Sequence, residues 1–307
     1  MVLLPRRLRT ILQKIELSIS LKSLFMIQQL SRRAEFLKIV RYNHMDKTGH
    51  FIRSPQISKG IVKQVTDISP TIKLLNIYIE NQKFNFKPGQ WVDFHIPGVN
   101  VVGGYSICSS PQLLKSDSSL NLAVKYSTHA PAYWVHKNCK CGDEVSLAVG
   151  GELFYSRNNH NLNDNLLLIA GGVGINPLFS IFHDIYLNNS VYNEVKNKTF
   201  MLYSAVNDHE LIFRDELDKI ALRNSSMKVS YFITKPVAKI EIVEQKENII
   251  YRRINECDVR AALDKMFCNS SDVISYLCGP EVMMDSMKNI LKNCGLRNEN
   301  IRYESWS

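Results

Sequence analysis

Long apolar runs are missing from the front of this 307-residue sequence, where the first 45 residues hold none longer than about four, such as Leu24-Phe25-Met26-Ile27. A bilayer-spanning helix needs about 20 such residues, so neither a membrane anchor nor a secretory core is read there. The seven cysteines (Cys108, Cys139, Cys141, Cys257, Cys268, Cys278, Cys294) are odd in number and scattered, unlike a disulfide framework. Cys139-Lys140-Cys141 has no second pair at metal spacing and no Cys-x4-Cys-x2-Cys run exists, which argues against structural zinc and against a plant-type iron–sulfur cluster. The Rossmann spacing Gly-x-Gly-x-x-Gly is absent too, because Pro177 stands where its third glycine would be.

Acidic residues are scarce at the amino terminus. Residues 1–45 carry nine Lys/Arg against Glu16 and Glu35, which leaves 29 basic and 27 acidic residues in the remainder. The net charge of +9 is therefore mostly local, and without aromatic-basic interleaving it does not point to nucleic acid. Leu8, Ile11, Leu12, Ile15 and Ile19 share one helical face with Arg6 and Arg9 opposite, the pattern of a mitochondrial transit segment, and a matrix location is expected.

The rest of the chain suggests two domains. After a polar linker at 46–56 come six β-like runs, Ile57–Val65, Ile72–Ile79, Trp91–Ile96, Tyr105–Cys108, Leu120–Tyr126 and Glu144–Val149, with one helix expected from Ala132 to Asn138. Turn residues separate the runs, and the stretch 57–155 reads as a small antiparallel six-stranded β-barrel. An Asn-rich joint at 156–165 comes next. From Leu166 the pattern alternates strand and helix, the signature of a parallel-sheet α/β domain over 166–307, with helix caps expected at Asp208 and Asn255.

Gly171-Gly172-Val173-Gly174-Ile175-Asn176-Pro177 joins the first strand of that domain to a helix. Glycines let backbone approach a pyrophosphate, and a helix amino terminus offers it unpaired N–H groups with partial positive charge. A carboxylate introduced at Gly174 is thus expected to enter the phosphate position without disturbing the fold. Tyr276-Leu277-Cys278-Gly279-Pro280 repeats the strand-glycine-helix geometry and is expected alongside. No acidic residue follows the second strand at Ser204-Ala205-Val206 to read a ribose, and Thr234-Lys235 fits either a 2′-phosphate contact or a solvated loop. NADH and NADPH are not separated.

These motifs, in order, together with Leu202-Tyr203-Ser204, Glu210–Leu217 and Tyr303-Glu304-Ser305-Trp306, resemble the pyridine nucleotide half of the ferredoxin–NADP reductase superfamily. Phe86-Lys87-Pro88-Gly89-Gln90-Trp91-Val92 and Tyr105-Ser106 resemble its flavin barrel. The resemblance implies hydride passage from NAD(P)H to FAD and on to an unidentified acceptor, a protein among the candidates. It assigns Tyr105 to stacking on the flavin ring, Ser106 to its N5, Cys278 to nicotinamide C4, Glu304 to the cleft, and Gly171–Asn176, Gly279 and Pro280 to the dinucleotide. The resemblance also exposes two departures. Gly103 stands where the family has the arginine that clamps the FAD diphosphate, and His129-Ala130-Pro131-Ala132 lacks its phosphate-binding hydroxyl. Flavin is therefore expected to bind weakly, with Lys125 or His129 as partial substitutes and Gly103→Arg as the repair. The same departures leave a rival reading open, a non-catalytic NAD(P)-binding assembly module.

Overall fold

The computed structural model describes residues 43–156, 165–192, 198–235, 249–266 and 272–304. The basic leader up to residue 42 and Ser305-Trp306 of the carboxy-terminal motif lie outside the described residues. No described helix is long and apolar enough to cross a membrane.

Chain order begins with a short helix α1 (His44–Thr48) and continues through β1 (Ile57–Ser69), β2 (Ile72–Ile79), β3 (Trp91–His95) and β4 (Gly103–Ser106). Helix α2 (Pro111–Asp117), β5 (Ser119–Lys125), α3 (Ala130–Lys137) and β6 (Glu144–Gly150) complete the first half. Its sheet runs β4-β3-β6-β1-β2-β5, all antiparallel, and an Ile107–Leu122 bridge joins the two outermost strands. Alternation along each strand turns Leu75, Ile77, Val92, Phe94, Leu122 and Leu147 into one interior cluster, which α3 caps with Ala132 and Val135.

The second half holds β7 (Asn165–Gly171), α4 (Ile175–Tyr192), β8 (Thr199–Ala205), α5 (Arg214–Arg223), β9 (Met227–Ile233) and β10 (Ile249–Ile250). It ends with α6 (Glu256–Met266), β11 (Val273–Cys278), α7 (Glu281–Asn293) and β12 (Ile301–Tyr303). The strands form a parallel sheet ordered β10-β9-β8-β7-β11-β12. Both faces are covered, so β7 and β11 read as nearly unbroken apolar runs, and one core lies on each side of the sheet. Strand order reverses between β7 and β11, which puts the ligand crevice of such a sheet at their carboxyl ends.

Three details differ from the sequence pattern. The residues before β1 are docked, with Asn43 capping α1 and Arg53 paired to the buried Asp93 of β3 at 3.0 Å. They pack because His44 and Arg53 find partners on the barrel wall, which a polar composition does not reveal. The cap near Asp208 is Asn207, whose side chain accepts from Glu210 N in a 3-10 turn, and α5 begins only at Arg214, after Phe213 in a left-handed conformation. The barrel also carries the extra helix α2, opened by Pro111.

Candidate functional site

The expected pyrophosphate loop sits at the carboxyl end of β7, where Gly172–Gly174 form a 3-10 turn leading into α4. Its glycines do different jobs. A side chain on Gly174 would overlap the backbone carbonyl of Cys278, and one on Gly171 would strike Met283 and lie 2.9 Å from Pro280. Gly279 in turn comes within 3.1 Å of the Gly171 backbone when given a Cβ. The two glycine turns at the ends of β7 and β11 are thus interlocked, backbone against backbone. Gly172 alone faces open space, in a left-handed conformation (φ +54°) that favours glycine. This corrects the expectation for Gly174: a carboxylate there enters no phosphate position but drives into Cys278, and the open position belongs to Gly172.

The remaining loop residues divide between core and joint. Ile175 is fully buried in the core, while Val173 is half-buried. Asn176 is buried and donates its amide to the carbonyl of Ala123 in β5 at 2.8 Å. One turn on, Ser180 donates to Ser109 O at 2.6 Å. The helix that opens at the glycine loop is therefore fastened to the barrel by two side chains on one face.

Cys278 ends β11 with 1% exposure, and the Leu277–Tyr303 pairing sets it beside Glu304, just past β12. Glu304 accepts a 2.7 Å hydrogen bond from the indole N–H of Trp91, which comes from β3 across the domain joint. Burial pushes the Glu304 carboxyl up to about 7, against the pull of that indole bond. Trp91 is the cross-strand partner of Ser106, so their side chains share a face of the barrel. Ser106, Trp91, Glu304, Cys278 and the glycine loop form one continuous path from barrel to dinucleotide domain. Trp91 was not singled out in the sequence; the signal was Gly150-Gly151, whose missing side chains make room for the indole.

On the barrel side, the expected diphosphate position is closed. A Cβ on Gly103 would lie 2.8 Å from the Tyr105 ring and 2.9 Å from Pro131, so the space beside Gly103 is already filled and Gly103→Arg is no repair. The Tyr105 ring also packs edge-on against Phe94, centroids 5.5 Å apart. Pro131, in the first turn of α3, has no N–H to give. Lys125 is engaged by Glu210 at 2.9 Å, a carboxylate that also accepts from Thr71 at 2.5 Å and from Ser69 at 3.3 Å. Burial pushes the Glu210 carboxyl up, but those hydrogen bonds outweigh it and hold it below the usual range. His129 is buried. Gly103 and Pro131 therefore supply neither the arginine nor the hydroxyl expected to hold a FAD diphosphate, and Lys125 is shared with Glu210. Gly104, next along β4, is covered by the ring of His44, whose Nε2 lies 3.5 Å from Asp93.

The chain is similar to known proteins over most of its length. Residues 168–289 match the oxidoreductase NAD-binding domain. The chain is 39% identical over 270 residues to the human oxidoreductase NAD-binding domain-containing protein 1, spanning 86% of this chain and 84% of that one, and 40% identical to its Xenopus laevis counterpart over 272 residues with the same two spans. A ferredoxin NADP+ reductase from Neisseria gonorrhoeae, solved with FAD and NADP, superposes with a TM-score of 0.63 at 18% identity, covering 82% of this chain and 99% of that one. The CS-b5R domains of human Ncb5or in the NAD+ form give 0.67 at 18% identity, covering 81% and 70%. With its parallel sheet, interlocked glycine turns and antiparallel barrel, this chain belongs to the oxidoreductase NAD-binding domain-containing protein 1 family, on the two-domain fold of the ferredoxin–NADP reductases.

Proposed function

We propose that this chain is an NAD(P)H-dependent oxidoreductase that binds the dinucleotide at the β7–β11 crevice and passes hydride to an acceptor at the domain joint. The observation that carries the reading is the interlock of Gly174 with the Cys278 carbonyl. It fixes the open Gly172 turn, where pyrophosphate meets the amino end of α4, next to the β11 end where the nicotinamide ring would lie. Cys278 supplies a small polarizable surface for that ring, and Glu304, its carboxyl pushed up to about 7 by burial, adds a hydrogen-bonding wall. Orientation contributes more here than acid–base chemistry. Calorimetry with NADH and NADPH tests binding. Cys278→Ala should lower the hydride-transfer rate more than the affinity, and equal loss of stability and binding without a specific rate effect would make the cysteine structural.

A second reading has its own observation. The closed position at Gly103 and the engagement of Lys125 by Glu210 favour a nucleotide-binding assembly module with no redox step. Reduction of a small-molecule acceptor by NADH separates the two. For residues 1–45 the proposed role is delivery to the mitochondrial matrix, tested by fusing them to a soluble reporter; a reporter that stays cytosolic rejects it.

A further inference from the structure

We propose that the segment 43–54, which precedes the barrel, is a positioning strap: it grips Trp91, and through that indole it sets the place of the Glu304 carboxyl at the domain joint. The inference rests on the nicotinamide reading above, which gives the strap its role in the reaction. A polar stretch has no apolar period to seat it, so its attachment comes from specific contacts. Both ends are tied to barrel backbone, with His44 N donating to Val102 O at 3.1 Å and Ser54 N to Val149 O at 2.8 Å. Arg53 donates from Nε to the buried Asp93 at 3.0 Å, and the same guanidinium donates to the carbonyls of Thr48 and Phe51. A buried carboxylate is costly without its partner, so Asp93 fixes Arg53 and Arg53 folds the segment on itself.

These contacts converge on Trp91. The His44 ring stands edge-on to the indole with centroids 4.7 Å apart, and Phe51 meets it edge-on at 6.3 Å. The Arg53 guanidinium carbon lies 5.0 Å from the ring centroid. Glycines make the room. A side chain on Gly104 would overlap the His44 ring, so β4 provides its socket, and one on Gly150 or Gly151 would overlap the indole itself. Held in this way, the fully buried Trp91 presents its N–H to Glu304 at 2.7 Å. A hydrogen bond weakens steeply when its distance or angle opens, so a strap that loosens the ring loosens the carboxyl as well. His44 is faced by Asp93, Arg53 and His129, and Glu304 by Trp91 and Glu152. Burial lowers His44 to about 4 against the pull of Asp93, so near neutral pH the strap docks with an uncharged ring.

The test follows the Trp91 indole N–H resonance in the full chain, assigned by its loss in Trp91→Phe. In the wild type it should exchange slowly and shift as pH passes about 7, a step that Glu304→Gln removes. His44→Ala empties the Gly104 socket, and Gly104→Ala displaces the ring while leaving its chemistry intact. Both should speed indole exchange by roughly tenfold or more and blunt the step near pH 7. NADH affinity by calorimetry should stay within about twofold, while NADH-dependent reduction of a small-molecule acceptor slows by about tenfold. His44→Phe, which keeps a ring against the indole, should restore both readouts. Should either first variant fail to fold, Phe51→Ala at the half-buried edge of the same contact gives the same readouts. Lowered stability with unchanged indole exchange and an unchanged step would make the segment structural only and overturn the proposal. A loosened indole with an unaltered reduction rate would overturn it too, leaving the nicotinamide reading in place. Failure of NADH to bind the wild type would remove that reading, and with it the role of the strap in the reaction.

Discussion

Two glycine-rich strand ends, at β7 and at β4, behave oppositely. At the end of β7, Gly171 and Gly174 are consumed by packing against the β11 turn, yet Gly172 stays open, and the turn leads into the amino terminus of an 18-residue helix. At the start of β4, Gly103 and Gly104 are both covered, one by Tyr105 and Pro131 and the other by His44. A glycine motif thus marks a ligand site only where one of its missing side chains faces open space. By that measure the dinucleotide domain offers an open position at Gly172, whereas Gly103 and Gly104 on the barrel are covered.

The largest effect expected from breaking this comparison is at Gly174. Gly174→Ala sets a Cβ against a backbone carbonyl that cannot rotate away, and should cost about 3 kcal/mol or more in urea unfolding, with nucleotide binding lost as well. A cost below about 1 kcal/mol would mean the two turns are not interlocked.

Next comes the joint between the halves. Glu304 is raised above its unfolded value of 4.5, so the stability it contributes is full below that value and is lost as pH rises through about 7. Glu304→Gln keeps an acceptor for the Trp91 indole and removes the titration. The variant should match the wild type near pH 4 and exceed it by on the order of 2 kcal/mol at pH 8, read from paired denaturation curves. A pH-independent difference would put Glu304 in water.

On the barrel, Gly103→Ala should cost about 1–2 kcal/mol by pressing on Tyr105 and Pro131, without changing NADH affinity. Enhanced FAD binding in that variant would contradict the closed position. The smallest effect is expected at Glu210→Gln, which keeps the Thr71 bond and loses the ion pair with the partly exposed Lys125. Its cost should stay within about 1 kcal/mol in the same assay.

Local chemistry was legible and distant chemistry was not. The strand-helix alternation after Leu166 and the alternating barrel strands were readable because each element carries its own period, and Asn255 was readable as a cap because it and Asp258 lie three residues apart and bond reciprocally. The order of the glycine loop, Cys278 and Glu304 was likewise visible in the motifs. Arg53 with Asp93, Trp91 with Glu304, and Glu210 with Ser69, Thr71 and Lys125 join residues 40 or more positions apart, and no spacing announces them. Which glycine faces a ligand and which faces a neighbouring turn is also decided by tertiary approach. That is why Gly174, expected to face a phosphate, meets Cys278 instead.

The most direct measurement is calorimetric titration of NADH into the wild type, Gly172→Asp and Gly172→Asn. Asp and Asn both tolerate the left-handed backbone at this position, and a Cβ there meets no neighbour within 4 Å, so the fold should survive in each, as circular dichroism can verify. If the open turn holds the pyrophosphate, the aspartate should weaken NADH by roughly tenfold or more relative to the uncharged asparagine, through repulsion at short range. Equal affinities for the two variants would contradict the account and put the dinucleotide elsewhere on the chain.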